Sequence, residues 1–281
     1  MTRKVFFVGV GAQRAGTSWM YNCLNKHPEV FMPQKEVHFF DSGYEKGTDW
    51  YSNLFETQKA VKAVGEITPD YMSKEVFLER LKRFAPEVKI IVILRHPIER
   101  AFSAFNLYKL HGKVKSNTFE EALIKDPHIL TQSLYSEQLE WINARFKPEQ
   151  VLVSFYDDIE IEPLNFMKKV FVFLGIDESF VPPNLTVKRN VSALPEVQNF
   201  LKIPVIQSYL LNSFLKKPFI KFKKSKAGKK LKTVILTKSE QSSKIPSLPE
   251  KYLYKVAMDI ERVSELTGRD LSKWIKKLKV D

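Results

Sequence analysis

Short apolar runs recur along the chain, each closed by a turn: VFFVGV from Val5, KIIVIL from Lys89, VLVSF from Val151, and a weaker AVKAVG from Ala60. Runs that are apolar on both faces belong inside a parallel sheet covered on each side. Between them the apolar positions take helical spacing over Thr17 to Lys26, Lys74 to Phe84, Ile98 to His111, Ser136 to Phe146 and Pro163 to Leu174. In the first of these, Met20, Cys23, Leu24 and His27 share one face, and Pro28 ends the helix. Alternating strands and helices predict an α/β fold in three layers, with a central, mostly parallel sheet flanked by helices. Ligands of such folds sit beyond the carboxyl ends of the strands. Past about Asp177 the pattern loosens through Pro182-Pro183, a lysine-rich stretch and SSKIPSLPE, before a last amphipathic helix from Pro249 to Thr267. The expected organisation is a single domain over residues 1–281 with a variable lysine-rich insertion at about 205–247.

Composition narrows this picture. At 281 residues and 44% hydrophobic, the chain can bury a substantial core. No run reaches the ~18 apolar residues of a membrane span. The opening MTRKVFFVGVG flows into a glycine turn without a cleavage site, so it reads as a first strand and not as a signal peptide. Cys23 is the single cysteine, which excludes an internal disulfide and fits a reducing, cytoplasmic setting. No Cys/His cluster has zinc spacing, and no metal is expected.

The formal charge of +13 favours anionic partners. Much of it is local, in KKPFIKFKKSKAGKKLK from Lys216 to Lys232, which holds no acidic residue. That stretch reads as a solvated face or as a peripheral contact with anionic surfaces. Phe219, Ile220 and Phe222 interleave with the lysines and keep an interfacial or capping role open.

Three stretches carry candidate chemistry. The turn Gly11-Ala12-Gln13-Arg14-Ala15-Gly16-Thr17-Ser18 follows the first strand and opens the first helix. Glycine lets backbone N–H groups converge on an anion there, and the helix N-terminus adds partial positive charge. Arg14 supplies a permanent charge and paired donors, and Thr17 and Ser18 supply hydroxyls. The second stretch, VILRHPIERAFSAF, ends a buried strand with Arg95 and places Ser103 two turns into the following helix. Two anion-binding strand ends in one sheet suggest a ligand with two separate phosphate groups. The third, PQKEVHFFDSGYEKGTDWY from Pro33, holds Glu36, His38 and Asp41 among aromatic residues. Either Glu36 or His38 could take a proton from a bound hydroxyl.

In this order, the stretches resemble the sulfotransferases that use 3′-phosphoadenosine-5′-phosphosulfate (PAPS), over most of the chain from Val5 to about Trp274. The resemblance implies a sulfotransferase fold related to the phosphate-loop kinases, PAPS as donor and PAP as product. GAQRAGTSWMYNCL is similar to the 5′-phosphosulfate loop, implying that Arg14, Ala15, Gly16, Thr17, Ser18 and Trp19 hold the donor. VILRHPIERAFSAF is similar to the 3′-phosphate motif, implying roles for Arg95 and Ser103. KEVHFFD and GEITPDY, from Gly65 to Tyr71, are most like the heparan-sulfate-type and related bacterial branch. There the glutamate matching Glu36 is the base, supported by residues matching His38 and Asp41, and Thr68 and Tyr71 fall on the acceptor side. VKRNVS, from Val187 to Ser192, matches a basic segment that covers the nucleotide, making Lys188 and Arg189 candidates.

Most members carry lysine where this chain has Arg14, and the glycosaminoglycan enzymes carry lysine where it has Ile67. Arginine holds its proton too firmly to give one away, so Arg14 is expected to stabilise a leaving phosphate by charge and hydrogen bonding alone. The expected reaction is in-line transfer of the sulfuryl group to an acceptor hydroxyl, on a carbohydrate first and an acidic saccharide among the candidates. A tyrosine, lipid or small-metabolite hydroxyl is the alternative. No nucleic-acid partner is expected. A nucleotide kinase would want Gly-Lys-Ser/Thr and an acidic magnesium ligand where this chain has Arg95. A non-catalytic polyanion-binding protein would bind through the lysine-rich stretch without needing Glu36.

Overall fold

The apolar runs become neighbouring strands of one parallel sheet. A computed structural model describes residues 5–57, 60–183, 185 and 248–278. Its strands are β1 (Phe7–Gly11), β2 (Val30–Phe31), β3 (Ala63–Ile67), β4 (Lys89–Leu94) and β5 (Val151–Phe155), in the order β2-β3-β1-β4-β5. Every pairing is parallel, with Phe7 opposite Gly65 on one side and Lys89 on the other. β1 and β3 are buried throughout, as is β4 beyond Lys89, whereas the edge strand β5 is half-buried over its first three residues. That difference follows from position, since only inner strands are covered by a neighbour on each edge and by helices on each face.

Helices fill the connections: α1 (Thr17–Leu24), α2 (Gly47–Asn53), α3 (Glu75–Phe84), α4 (Pro97–Leu110), α5 (Phe119–Lys125), α6 (His128–Thr131), α7 (Tyr135–Asn143), α8 (Tyr156–Ile161), α9 (Pro163–Leu174), α10 (Glu250–Thr267) and α11 (Ser272–Lys276). The expected apolar face of α1 is buried, with Met20, Cys23 and Leu24 at 0% exposure and His27 at 2%. Glycine at 65 lets β3 approach β1, because a Cβ there would collide with the Phe7 carbonyl oxygen.

Two sequence expectations shift. The run from Ala60 forms a strand only from Ala63, whose amide donates to the Glu29 carbonyl (3.0 Å) as the parallel pairing of Ala63 with Val30 begins. β2, two residues long, has too little pattern to be read from sequence.

The chain divides into two compact units. Among the described residues, the first holds the sheet, with residues up to Ala101, those from His128 to 185 and those from Leu248 onward. In it, α10 reaches α7 through Asp259, whose carboxylate accepts from the Tyr135 amide (2.8 Å), the Ser136 amide (3.0 Å) and the Ser136 hydroxyl (2.6 Å). The second holds Phe102 to Pro127, where Phe102, Phe105 and Phe119 form an aromatic cluster and the Thr118 hydroxyl caps α5. Among the described residues no helix is long and apolar enough to cross a membrane.

Candidate active site

β1 delivers the chain to the turn before α1, and its geometry is set by residues that leave the right-handed region. Gly16, the N-cap of α1, has φ 94°, and Arg14 has φ 72°. A side chain on Gly16 would also press on Ile159 and Tyr156, so glycine is required there twice over. The first turn of α1 then carries the amides of Thr17 and Ser18, which the helix cannot pair internally. Thr17 is buried and Ser18 half-buried. Trp19 is buried edge-on against Phe166 and donates its indole N–H to the Leu185 carbonyl (3.2 Å).

The neighbouring strand end is tied to this turn. The Ala12 amide donates to the Ile93 carbonyl at 2.8 Å, and Arg95 Nη1 donates to the Arg14 carbonyl at 3.4 Å. Arg95 emerges just beyond β4, half-buried over the Tyr156 ring (4.6 Å), with Nε toward Glu99 (3.3 Å). Its own carbonyl accepts from the Tyr135 hydroxyl at 2.9 Å. The two strand ends expected to bind anions are therefore adjacent and held in common. Ser103 lies on α4 within the second unit.

Beyond the carboxyl end of β3 sits the loop over residues 35–41. The Glu36 amide donates to the Ile67 carbonyl (3.2 Å), and the Thr68 amide to the Gly9 carbonyl (2.9 Å), which places the loop beside β1 and its turn. Glu36 and His38 both have left-handed backbones, with φ of 59° and 55°. Glu36 pairs with Lys35 at 2.8 Å and lies 3.8 Å from His38 Nε2. His38 Nδ1 is 2.7 Å from Asp41 Oδ2. Burial draws the His38 pKa down, but the Asp41 hydrogen bond and the charges of Asp41, Asp70 and Glu36 together hold it above the ordinary histidine value.

Sequence reasoning passed over Glu66 and Arg80, which help to hold this loop, and gave Thr68 and Tyr71 a different part. Glu66, inside β3, is fully buried. It accepts from Tyr51 (2.7 Å), Tyr71 (3.0 Å), Thr68 (2.6 Å) and the Val37 amide (3.2 Å). Thr68 and Tyr71, expected on the acceptor side, are 0% exposed, with their hydroxyls engaged in this network. Arg80 secures the far end of the loop, donating to the Phe40 carbonyl (2.9 Å) and covering the Tyr44 ring (4.2 Å). Asp70 lies near His38 and accepts from Gln13 at 3.4 Å, and burial raises its pKa. His38, Asp41 and Asp70 each offer one donor atom within 4.8 Å of the others, a spacing that could hold a metal ion. The signal in the sequence was the lone acid in the apolar run AVGEI. Lys188, Arg189 and the lysine-rich stretch lie outside the described residues.

Residues 4–268 match the sulfotransferase domain family model. The chain is 30% identical over 192 residues to human heparan sulfate glucosamine 3-O-sulfotransferase 5, covering 63% of this chain and 54% of that protein. It is 33% identical over 104 residues to the membrane-associated sulfotransferase kil1 of Dictyostelium discoideum, covering 36% of this chain and 22% of that protein. Set against the heparan sulfate relative, the chain spans about half its length. A sulfotransferase from Alicyclobacillus acidocaldarius shares the fold, with a TM-score of 0.69 at 23% identity, covering 97% of this chain and 99% of that one. With the family model spanning nearly its whole length and the fold shared end to end, the chain belongs to the sulfotransferase domain family.

Proposed function

We propose that the protein transfers the sulfuryl group of PAPS to a carbohydrate hydroxyl, with Glu36 as the base. One observation carries this reading: the loop bearing Glu36 is pinned to the carboxyl end of β3, beside the turn of β1 and the Arg95 strand end. Donor and acceptor would meet where the three strand ends converge. In the transfer, Glu36 takes the acceptor proton, the oxygen attacks sulfur, and the bond from sulfur to the 5′-phosphate oxygen breaks. Negative charge grows on that phosphate, where Arg14 and the amides of Gly16, Thr17 and Ser18 would lie. Preorganised donors act most strongly at such a position. Arg95 is the residue we assign to the 3′-phosphate.

The choice of Glu36 over His38 rests on charge. His38 has Nδ1 engaged by Asp41, and that hydrogen bond with the neighbouring carboxylates shifts its pKa upward, toward the protonated form. A group held toward its protonated form is the poorer base. Support for a carbohydrate acceptor comes from the heparan sulfate relative and from the glutamate-bearing loop. A cytoplasmic site of action is the reading that the single, buried Cys23 supports.

The test is labelled-sulfate transfer from PAPS across saccharide, phenol, lipid and small-alcohol acceptors, preceded by a thermal-shift titration with PAP. Stabilisation by PAP with transfer to a saccharide supports the proposal. Transfer to a phenol alone would replace the acceptor, and absence of any PAP shift would remove the donor assignment.

A further inference from the structure

We infer that Glu66 is a positioning residue for the Glu36 loop, setting its backbone through Thr68 and Tyr71. This rests on the reading that the loop carries the base.

The carboxylate of Glu66 is wholly buried, and the partners that reach it are neutral donors: two tyrosine hydroxyls on Oε1, and a threonine hydroxyl and a backbone amide on Oε2. Burying a carboxylate among neutral groups is unfavourable unless every contact is a good hydrogen bond. An apolar side chain would fill the strand more cheaply. The retained acid therefore points to what its network does elsewhere.

Following the hydrogens shows what that is. The Phe39 amide donates to the Tyr71 hydroxyl at 2.8 Å, and the Phe40 amide approaches the same oxygen at 3.4 Å. With its oxygen accepting from amides, Tyr71 turns its own hydrogen to Glu66. The His38 amide likewise donates to Thr68 Oγ1 at 3.3 Å, whose hydrogen also goes to Glu66. Four consecutive amides, from Val37 to Phe40, thus end on Glu66 directly or through one hydroxyl. Glu36, just before this run, and His38, within it, have the left-handed backbones that side chains with a Cβ resist. Such geometry persists only where the surroundings over-determine it. Glu66 supplies that constraint and aims the two side chains without touching substrate.

Tyr51 offers an internal comparison. It also donates to Glu66 Oε1 and is equally buried, but no loop amide donates to its hydroxyl. Removal of either hydroxyl perturbs the same carboxylate, and only Tyr71→Phe also releases the loop. Three measurements on the full chain follow: amide hydrogen exchange over residues 36–41, PAP thermal shift, and steady-state sulfate transfer. Tyr71→Phe is expected to speed exchange at Phe39 and Phe40 by about tenfold or more. It should lower kcat by about 10- to 100-fold, with KM for PAPS changed less than about twofold. Tyr51→Phe, with a comparable loss of thermal stability, should leave loop exchange and kcat within about threefold. Glu66→Gln, which replaces one acceptor oxygen by a donor, should behave as Tyr71→Phe does. Equal effects of the two tyrosine variants on loop exchange, or none in either, would overturn the inference. If the wild-type protein transfers no sulfate, the proposed function fails, while the exchange comparison still decides the role of Glu66.

Discussion

Arg95 Nη1 donates to the carbonyl oxygen of Arg14, across 3.4 Å and from the neighbouring strand end. The bond is to the backbone of Arg14, so its side chain can be changed while the link between the turn and β4 is kept. Arg14→Ala is therefore expected to lower kcat/KM by about 100- to 1000-fold through loss of charge at the leaving phosphate. PAP should still stabilise the variant in a thermal-shift titration. Arg14→Lys keeps charge and loses the paired donors, and intermediate turnover would show how much the fork geometry contributes. Full activity in Arg14→Ala would end the assigned role.

Glu36→Gln removes the proposed base and preserves shape. Turnover should fall by about 100- to 10,000-fold, the range typical of a lost general base. The PAP thermal shift should match wild type. Retained transfer in this variant would move the base to His38.

The raised pKa of His38 has a stability consequence with a definite sign. A histidine whose folded value lies above its unfolded value stabilises the fold fully below the unfolded value, about 6.5. That contribution is lost as pH rises through the folded value. The wild-type protein should thus exceed His38→Gln in urea midpoint most clearly below about pH 6.5, with the gap closing at higher pH. A gap that widened with pH would contradict the Asp41 pairing as its source.

Asp259 joins α10 to the start of α7, and Tyr135 on α7 in turn supports the Arg95 carbonyl. Asp259→Ala leaves two backbone amides and a hydroxyl without their acceptor, at a cost of about 2–3 kcal/mol. Urea denaturation would measure this, and a loss below about 0.5 kcal/mol would show that water replaces the carboxylate.

The sheet was legible because its strands are apolar on both faces, a pattern that burial alone imposes. The runs at Lys89 and Val151 match β4 and β5 at both ends. Arg14, Glu36 and Arg95 stand out in the sequence as charges at the end of a strand or in an aromatic loop, and the structure places them beside the ends of β1, β3 and β4. What escaped was everything set by hydrogen bonds between distant segments. The left-handed backbones of Glu36 and His38 depend on Thr68 and Tyr71, some thirty residues later, and no local pattern encodes them. Glu66 itself sits in a motif whose neighbours drew the attention. α8 was missed because Tyr156-Asp157-Asp158-Ile159-Glu160-Ile161 is too short to show a period.

The central position of β1 bears on how the protein is made. β1 is the first described strand to leave the ribosome, yet its partners start at Ala63 and Lys89. Until those segments emerge, an apolar strand and the glycine turn after it have no sheet to join. Nascent chains halted before residue 89 would present that strand to chaperones, and the glycine turn would take its final form only once β4 is released.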